Sequence, residues 1–151
     1  FEFLSAQIIS RMILIMATSA LTFAAAWGII RFEIAGSLLD LAIYLAVGSL
    51  CMISFGMIVA ARISSEEVAE GVLNVMTWPM MLLSGVWFSL EGASPVIRNL
   101  AKVFPLTHVV DGMRAIILDG AGLMDLLPQM ATMGVIGLVL VLVGSLIFKW
   151  N

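Results

Sequence analysis

The chain has 151 residues, of which 62% are hydrophobic, and its ten acidic and seven basic residues leave a formal net charge of −3. A mean hydropathy of +1.16 accompanies that composition, which lies well above the roughly 45–50% apolar share of soluble domains. A nucleic-acid partner is excluded, because no basic tract is present. A soluble fold would need four wholly buried helices in this short chain.

The sequence opens at Phe1, and Phe1–Arg11 lacks the basic region, apolar core and small-residue cleavage site of a secretory signal. This start is expected of a fragment that has lost an N-terminal part. Four stretches then carry no Asp, Glu, Lys or Arg: Met12–Ile30 (19 residues), Leu41–Ala61 (21), Gly71–Leu90 (20) and Leu126–Phe148 (23). Each approaches the roughly 20 residues that a helix needs to cross about 30 Å of hydrocarbon. The expected fold is all-α and polytopic, a single transmembrane domain over 1–151 with spans at about 8–30, 38–61, 65–90 and 126–148.

Along the first span Ala20, Ala24 and Gly28 recur at four-residue steps, as do Ala42 with Ala46 and Gly56 with Ala60 further on. Small residues at that spacing let helices approach closely in lipid but carry no chemistry. Ser37 with Asp40, and Ser64 with Glu67, fit the capping pattern S-x-x-[DE] and place the starts of the second and third spans. The single cysteine, Cys51, lies inside the second run without a disulfide or metal companion and is read as packing. Pro79 falls well inside the third run, where it removes a hydrogen bond and its ring meets the carbonyl of Val75. A kink follows, either a static bend or a transport hinge. Trp27, Trp87 and Trp150 lie near run ends, as an interfacial aromatic belt requires. Most of the eleven methionines lie in the runs and are read as gap-filling side chains.

The segment between the third and fourth runs is too short to span. Ser94 and Pro95 read as N-cap and first residue of a helix with Val96, Ile97, Leu100, Val103 and Phe104 on one face and Arg98, Asn99 and Lys102 on the other. Such a helix suits the membrane surface. Pro105 breaks it, and a second helix over Leu106–Leu118 would be roughly 20 Å long at 1.5 Å per residue. Thr107, Asp111 and Arg114 recur on one face of it at i, i+4 and i+7, with His108 beside them. A charge at a bilayer centre costs about 2.5–3.5 kcal/mol, so Asp111 and Arg114 should pair or face protein or water. The expected structure is a re-entrant hairpin over 94–118, turning back at Asp119-Gly120-Ala121-Gly122. Asp125, followed by Leu126, Leu127 and Pro128, suits the start of the fourth span.

These residues together resemble a known signature. Pro79, then Leu83-Ser84-Gly85-Val86-Trp87-Phe88 with Leu90-Glu91, then Pro105-Leu106-Thr107 with Asp111 and Arg114, is similar to the pattern of type-2 ATP-binding-cassette (ABC-2) exporter permeases. The pattern departs at Ser89, Phe104 and His108, where the family usually has proline, asparagine and tyrosine. Arg62, Ser64 and Glu67 fall in what looks like the family's short cytoplasmic loop. The resemblance implies the C-terminal portion of a six-helix permease in a bacterial inner (plasma) membrane, working as a homodimer with separate ABC ATPase subunits. It also implies that the hairpin caps the exit path, with Pro79, Ser84, Gly85, Glu91, Pro105, Thr107, Asp111 and Arg114 as structural or gating residues. No G-x-x-x-x-G-K-[ST] loop exists in the chain. ATP and magnesium would therefore be bound by the partner, and no catalytic residue, cofactor or metal is expected here.

Charge bias does not set the orientation. Cytoplasmic termini put Arg11, Arg62 and Lys149 inside but Arg31, Arg98, Lys102 and Arg114 outside or in the hairpin, so orientation is taken from the resemblance. Two other classes stay open: a structural or assembly subunit without a transport path, and an intramembrane hydrolase using Ser84 and His108. Leu82 and Leu83 before Ser84 do not give the Gly-x-Ser-Gly setting of rhomboid-like proteases, and Asp111-Gly112-Met113-Arg114 does not match the lipid phosphotransferase motif.

Overall fold

The computed structural model describes residues 2–61, 63 and 65–147, and the described residues form helices without strands. In chain order these are α1 (Glu2–Ile30), α2 (Leu38–Ala61), α3 (Glu66–Leu83), a 3-10 turn (Leu90–Gly92), α4 (Pro95–Ala101), α5 (Pro105–Asp119) and α6 (Leu127–Ile147). Two of them, α1 through Ser5–Ile30 and α2 through Leu38–Val59, are long and apolar enough to cross a membrane. Their 26 and 22 residues correspond to about 39 and 33 Å of helix. The α1 stretch is almost wholly unburied by the rest of the chain, whereas α2 lies at the centre, packed on α6 and α5 most extensively and then on α1 and α3.

Local chemistry accounts for several boundaries. The Ser37 hydroxyl accepts from the Leu39 N–H at 3.2 Å and caps α2. Pro95 and Pro105 both occupy the first turn of their helices, where a missing N–H removes no intrahelical bond. Gly120, in the left-handed conformation at φ 68°, closes α5, and its N–H bonds to the Ala115 carbonyl.

Three expectations are corrected. The third helix ends at Leu83, well short of residue 90, because Ser84 is its C-cap and Gly85 adopts φ 77°, a left-handed conformation that stops the helix. It starts at Glu66 with Ser65 as N-cap and without a side-chain capping bond. Ser64 and Arg62 lie outside the described residues. Asp125 does not cap α6: its carboxylate accepts from the Gly122 N–H at 3.1 Å and so tightens the turn leaving α5. Pro79 sits inside α3, which continues beyond it to Leu83.

The core is small and runs along α2, α5 and α6, where Leu41, Tyr44, Cys51, Val109, Ile116, Leu126 and Met133 pack together. Gly112 makes this contact possible, since a Cβ there would overlap the Tyr44 ring and hydroxyl. The Tyr44 hydroxyl donates to the His108 carbonyl at 2.6 Å and lies 3.2 Å from Gln129 Oε1, tying α2 to α5 and α6. The α1–α2 loop is pinned to the same helix by the Ala35 N–H, 3.0 Å from the Ile117 carbonyl. A short α5 that cannot span is thus held by backbone and side-chain bonds against the central helix.

Candidate functional site: the hairpin cavity

Within α4 every residue but Ala101 is exposed, the apolar ones included. Val96 and Leu100 of α4 and Val103 just beyond it are 74%, 54% and 68% exposed, and Arg98 and Lys102, themselves exposed, line a cavity together with the buried Ala101. In water this arrangement would leave a row of apolar side chains open. In a bilayer it is favourable, because the apolar face meets hydrocarbon and the charges share a polar enclosure.

That enclosure is a cavity of about 260 Å³ between the end of α3, the 3-10 turn, α4 and α5. Six of the residues singled out in the sequence line it: Ser84, Gly85, Glu91, Thr107, Asp111 and Arg114. Pro79 and Pro105 do not. Pro105 is buried at the start of α5, whereas Pro79 lies mid-helix and is exposed. Glu67, near the start of α3, is exposed and apart from the cavity. The i, i+4, i+7 register of α5 explains the convergence of Thr107, Asp111 and Arg114, since one helix face presents all three.

Within the cavity Arg114 Nη2 donates to the Gly85 carbonyl at 3.0 Å, linking α5 to the turn that ends α3. The left-handed conformation of Gly85 is what brings its carbonyl to the guanidinium. Asp111 and Arg114 form no ion pair among the described residues, though they act on each other through space. Partial burial pushes the Asp111 carboxyl above its ordinary range, and the charges of Arg114 and then His108 oppose that shift. Ser84 is 1% exposed and donates to the Met81 carbonyl at 2.8 Å. His108 Nε2 lies 2.8 Å from the Lys102 carbonyl. Serine and histidine are therefore engaged with separate backbone carbonyls, which is not the bonded nucleophile and base that a hydrolase requires. Ser89, where the resemblance leads one to expect proline, accepts from the Glu91 N–H at 3.3 Å and caps the 3-10 turn.

Sequence reasoning missed Tyr44, Arg98 and Lys102 as members of this assembly. Arg98 and Lys102 had a visible signal in their i, i+4 spacing, but the pattern does not say which face of α4 meets protein. Tyr44 is the sole tyrosine and lies in an otherwise apolar run, a placement in which a hydroxyl needs a partner.

A helical, strongly apolar chain with two helices long and apolar enough to cross a membrane has the character of a membrane protein. The family model described as "ABC-2 type transporter" matches residues 1–118. The chain belongs to the ABC-2 type transporter family. It is 32% identical over 102 residues to nodulation protein J of Neorhizobium galegae, covering 65% of this chain and 39% of that protein. It is 30% identical over 112 residues to the probable multidrug ABC transporter permease YbhR of Escherichia coli K12, covering 73% of this chain and 30% of the relative. The matched part of the chain thus spans only 39% and 30% of the length of these two relatives. No solved structure matches it. Family membership and the apolar helices make it an integral membrane protein and a transmembrane transporter component.

Proposed function

We propose that the protein is the permease subunit of an ATP-driven exporter. It crosses the membrane four times, through α1, α2, α3 with its following turn, and α6, and carries the α4–α5 hairpin at the outer surface. Two permease copies form the substrate path and two ABC ATPase subunits bind ATP and magnesium on the cytoplasmic side. ATP-driven closure of the ATPases moves the cytoplasmic helix ends, and the dimer interface then opens a path. The membrane is a bacterial inner membrane, and this subunit contributes no catalysis.

The observation that carries the reading is the family match over residues 1–118, which spans α1 to the end of α5. The exposed Val96 and Leu100 of α4 support the hairpin's place at a lipid surface. Within it, Arg114 holds the hairpin to α3 through the Gly85 carbonyl, and Glu91 anchors the turn between them or contacts substrate. The test is purification of the full-length protein from its native membrane in mild detergent, followed by mass spectrometry and an ATPase assay of the complex. A stoichiometric companion with a phosphate-binding loop, whose ATPase activity disappears when its loop lysine is replaced, is the expected result. Recovery without any ATPase, from a full-length chain that itself lacks such a domain, would overturn the exporter reading in favour of a structural or assembly subunit.

A further inference from the structure

The hairpin cavity carries an excess of positive charge. Arg98 and Lys102, one turn apart on α4, line it with Arg114 of α5, and Glu91 and Asp111 line it as well. Three cations against two carboxylates leave one net positive charge. Thr107, also in the lining, is 4% exposed, and its Oγ1 is the one buried side-chain polar atom without a partner among the described residues. A buried hydroxyl with no acceptor or donor is rare in native proteins and points to a group that completes it.

Two more features favour an anion. Thr107 belongs to the first turn of α5, a 15-residue helix whose N-cap is Phe104 and which has no side-chain capping bond. Pro105 supplies no N–H and that of Thr107 bonds the Phe104 carbonyl, so it is chiefly the dipole of this end that attracts negative charge. Arginine forks and a lysine ammonium approaching from two helices suit a tetrahedral oxyanion, whose several oxygens accept from different directions. The cavity volume of about 260 Å³ is several times the roughly 30 Å³ share of one water molecule, which leaves room for a phosphate with attendant waters.

The exposed apolar side chains of α4 fix the source of that phosphate. With the exposed Val96, Leu100 and Val103 set in hydrocarbon, the exposed Arg98 and Lys102 at the cavity stand at headgroup depth. A single net positive charge also matches the monoanionic phosphodiester of a phospholipid. We infer that the hairpin cavity is a binding site for the phosphate group of a phospholipid, held by Arg98, Lys102, Arg114 and the hydroxyl of Thr107. Glu91 and Asp111 keep the three cations from repelling one another and limit the site to a singly charged group. The bound headgroup fastens the hairpin to its leaflet.

The test uses the full-length protein purified in detergent, with lipid retention read by native mass spectrometry. The probes are dioleoyl phosphatidylglycerol, a phosphate-free diglucosyl dioleoylglycerol with the same tails, and inorganic phosphate. Phosphatidylglycerol should be retained about tenfold better than the glycolipid, and Arg98→Gln with Lys102→Gln should lower its retention by about the same factor. Thr107→Val, close in shape to the native residue, should lower it severalfold and keeps the test decisive if the double variant fails to fold. Arg11→Gln, on α1 and outside the cavity, should leave retention unchanged. Displacement of the lipid by millimolar inorganic phosphate would name the free ion as the ligand and overturn the lipid assignment, whereas resistance to it supports the lipid. Equal retention of the two lipids, or wild-type retention in both the double variant and Thr107→Val, would overturn the inference.

Discussion

Gly112→Ala sets two effects of opposite sign against each other and so tests the packing of α5 on α2 directly. In a helix interior, replacing glycine with alanine is worth about 0.8–1 kcal/mol of stability through propensity alone. The new Cβ, however, would overlap Tyr44 Oη, Cζ and Cε1. The ring cannot step aside, because Tyr44 is 0% exposed and its hydroxyl is bonded to the His108 carbonyl at 2.6 Å. Overpacking of that kind costs about 1–3 kcal/mol, and an overlap with three ring atoms lies at the upper end of the range. A net loss of about 1–2 kcal/mol follows once propensity is credited. The assay is thermal or denaturant unfolding of the full-length protein in detergent, for Gly112→Ala, Tyr44→Ala and the double variant. In the Tyr44→Ala background the ring is gone, so Gly112→Ala should become neutral or stabilising by up to about 1 kcal/mol. A stable Gly112→Ala single variant, or the same effect in both backgrounds, would refute the close approach of these helices.

Other substitutions probe the hairpin. Arg114→Gln removes the bond to the Gly85 carbonyl and should lower stability by about 1 kcal/mol, the lower end for a charged bond because Arg114 is exposed at the rim. Asp111→Asn should change stability at neutral pH by no more than about 0.5 kcal/mol, so equal losses in the two variants would contradict the structure. Folding raises the Asp111 pKa, so the contribution of this carboxyl is greatest at low pH and is lost as pH rises through the folded value. Asp111→Asn should flatten that part of the stability–pH curve, and an unchanged curve would refute the assignment. Gly85→Ala should cost about 1–2 kcal/mol through its φ of 77°, with little steric cost because the nearest atom lies 3.7 Å from the added carbon. An unaltered unfolding midpoint would show that the left-handed turn is not required.

Much of this arrangement can be read in the residues. Uninterrupted apolar runs mark α1 and α2, and proline at a helix start marks α4 and α5, because both signals are local. The i, i+4, i+7 spacing of Thr107, Asp111 and Arg114 places them on one face, and that face lines the cavity. The end of α3 is harder to see: Gly85 is embedded in a stretch as apolar as the helix before it, and only its backbone conformation reveals the break. The partners of Tyr44 lie 64 and 85 residues away in sequence, a separation that no local pattern encodes. Arg98 and Lys102 are recognisable as a polar face, but amphipathicity has the same form whether that face meets water or protein. Both are exposed, and their place at the cavity beside the buried Ala101 is a property of tertiary packing.

The most direct test of the proposed architecture is which side of the membrane the hairpin occupies. Cys51 is the sole cysteine and is buried, so Cys51→Ala gives a background for single-cysteine labelling with a membrane-impermeant maleimide in right-side-out spheroplasts. Asn99→Cys, exposed on α4, should label in intact spheroplasts, and Glu67→Cys, exposed at the start of α3, only after lysis. Labelling of both positions from the same side would contradict an outer hairpin separated from the α2–α3 loop by a membrane crossing.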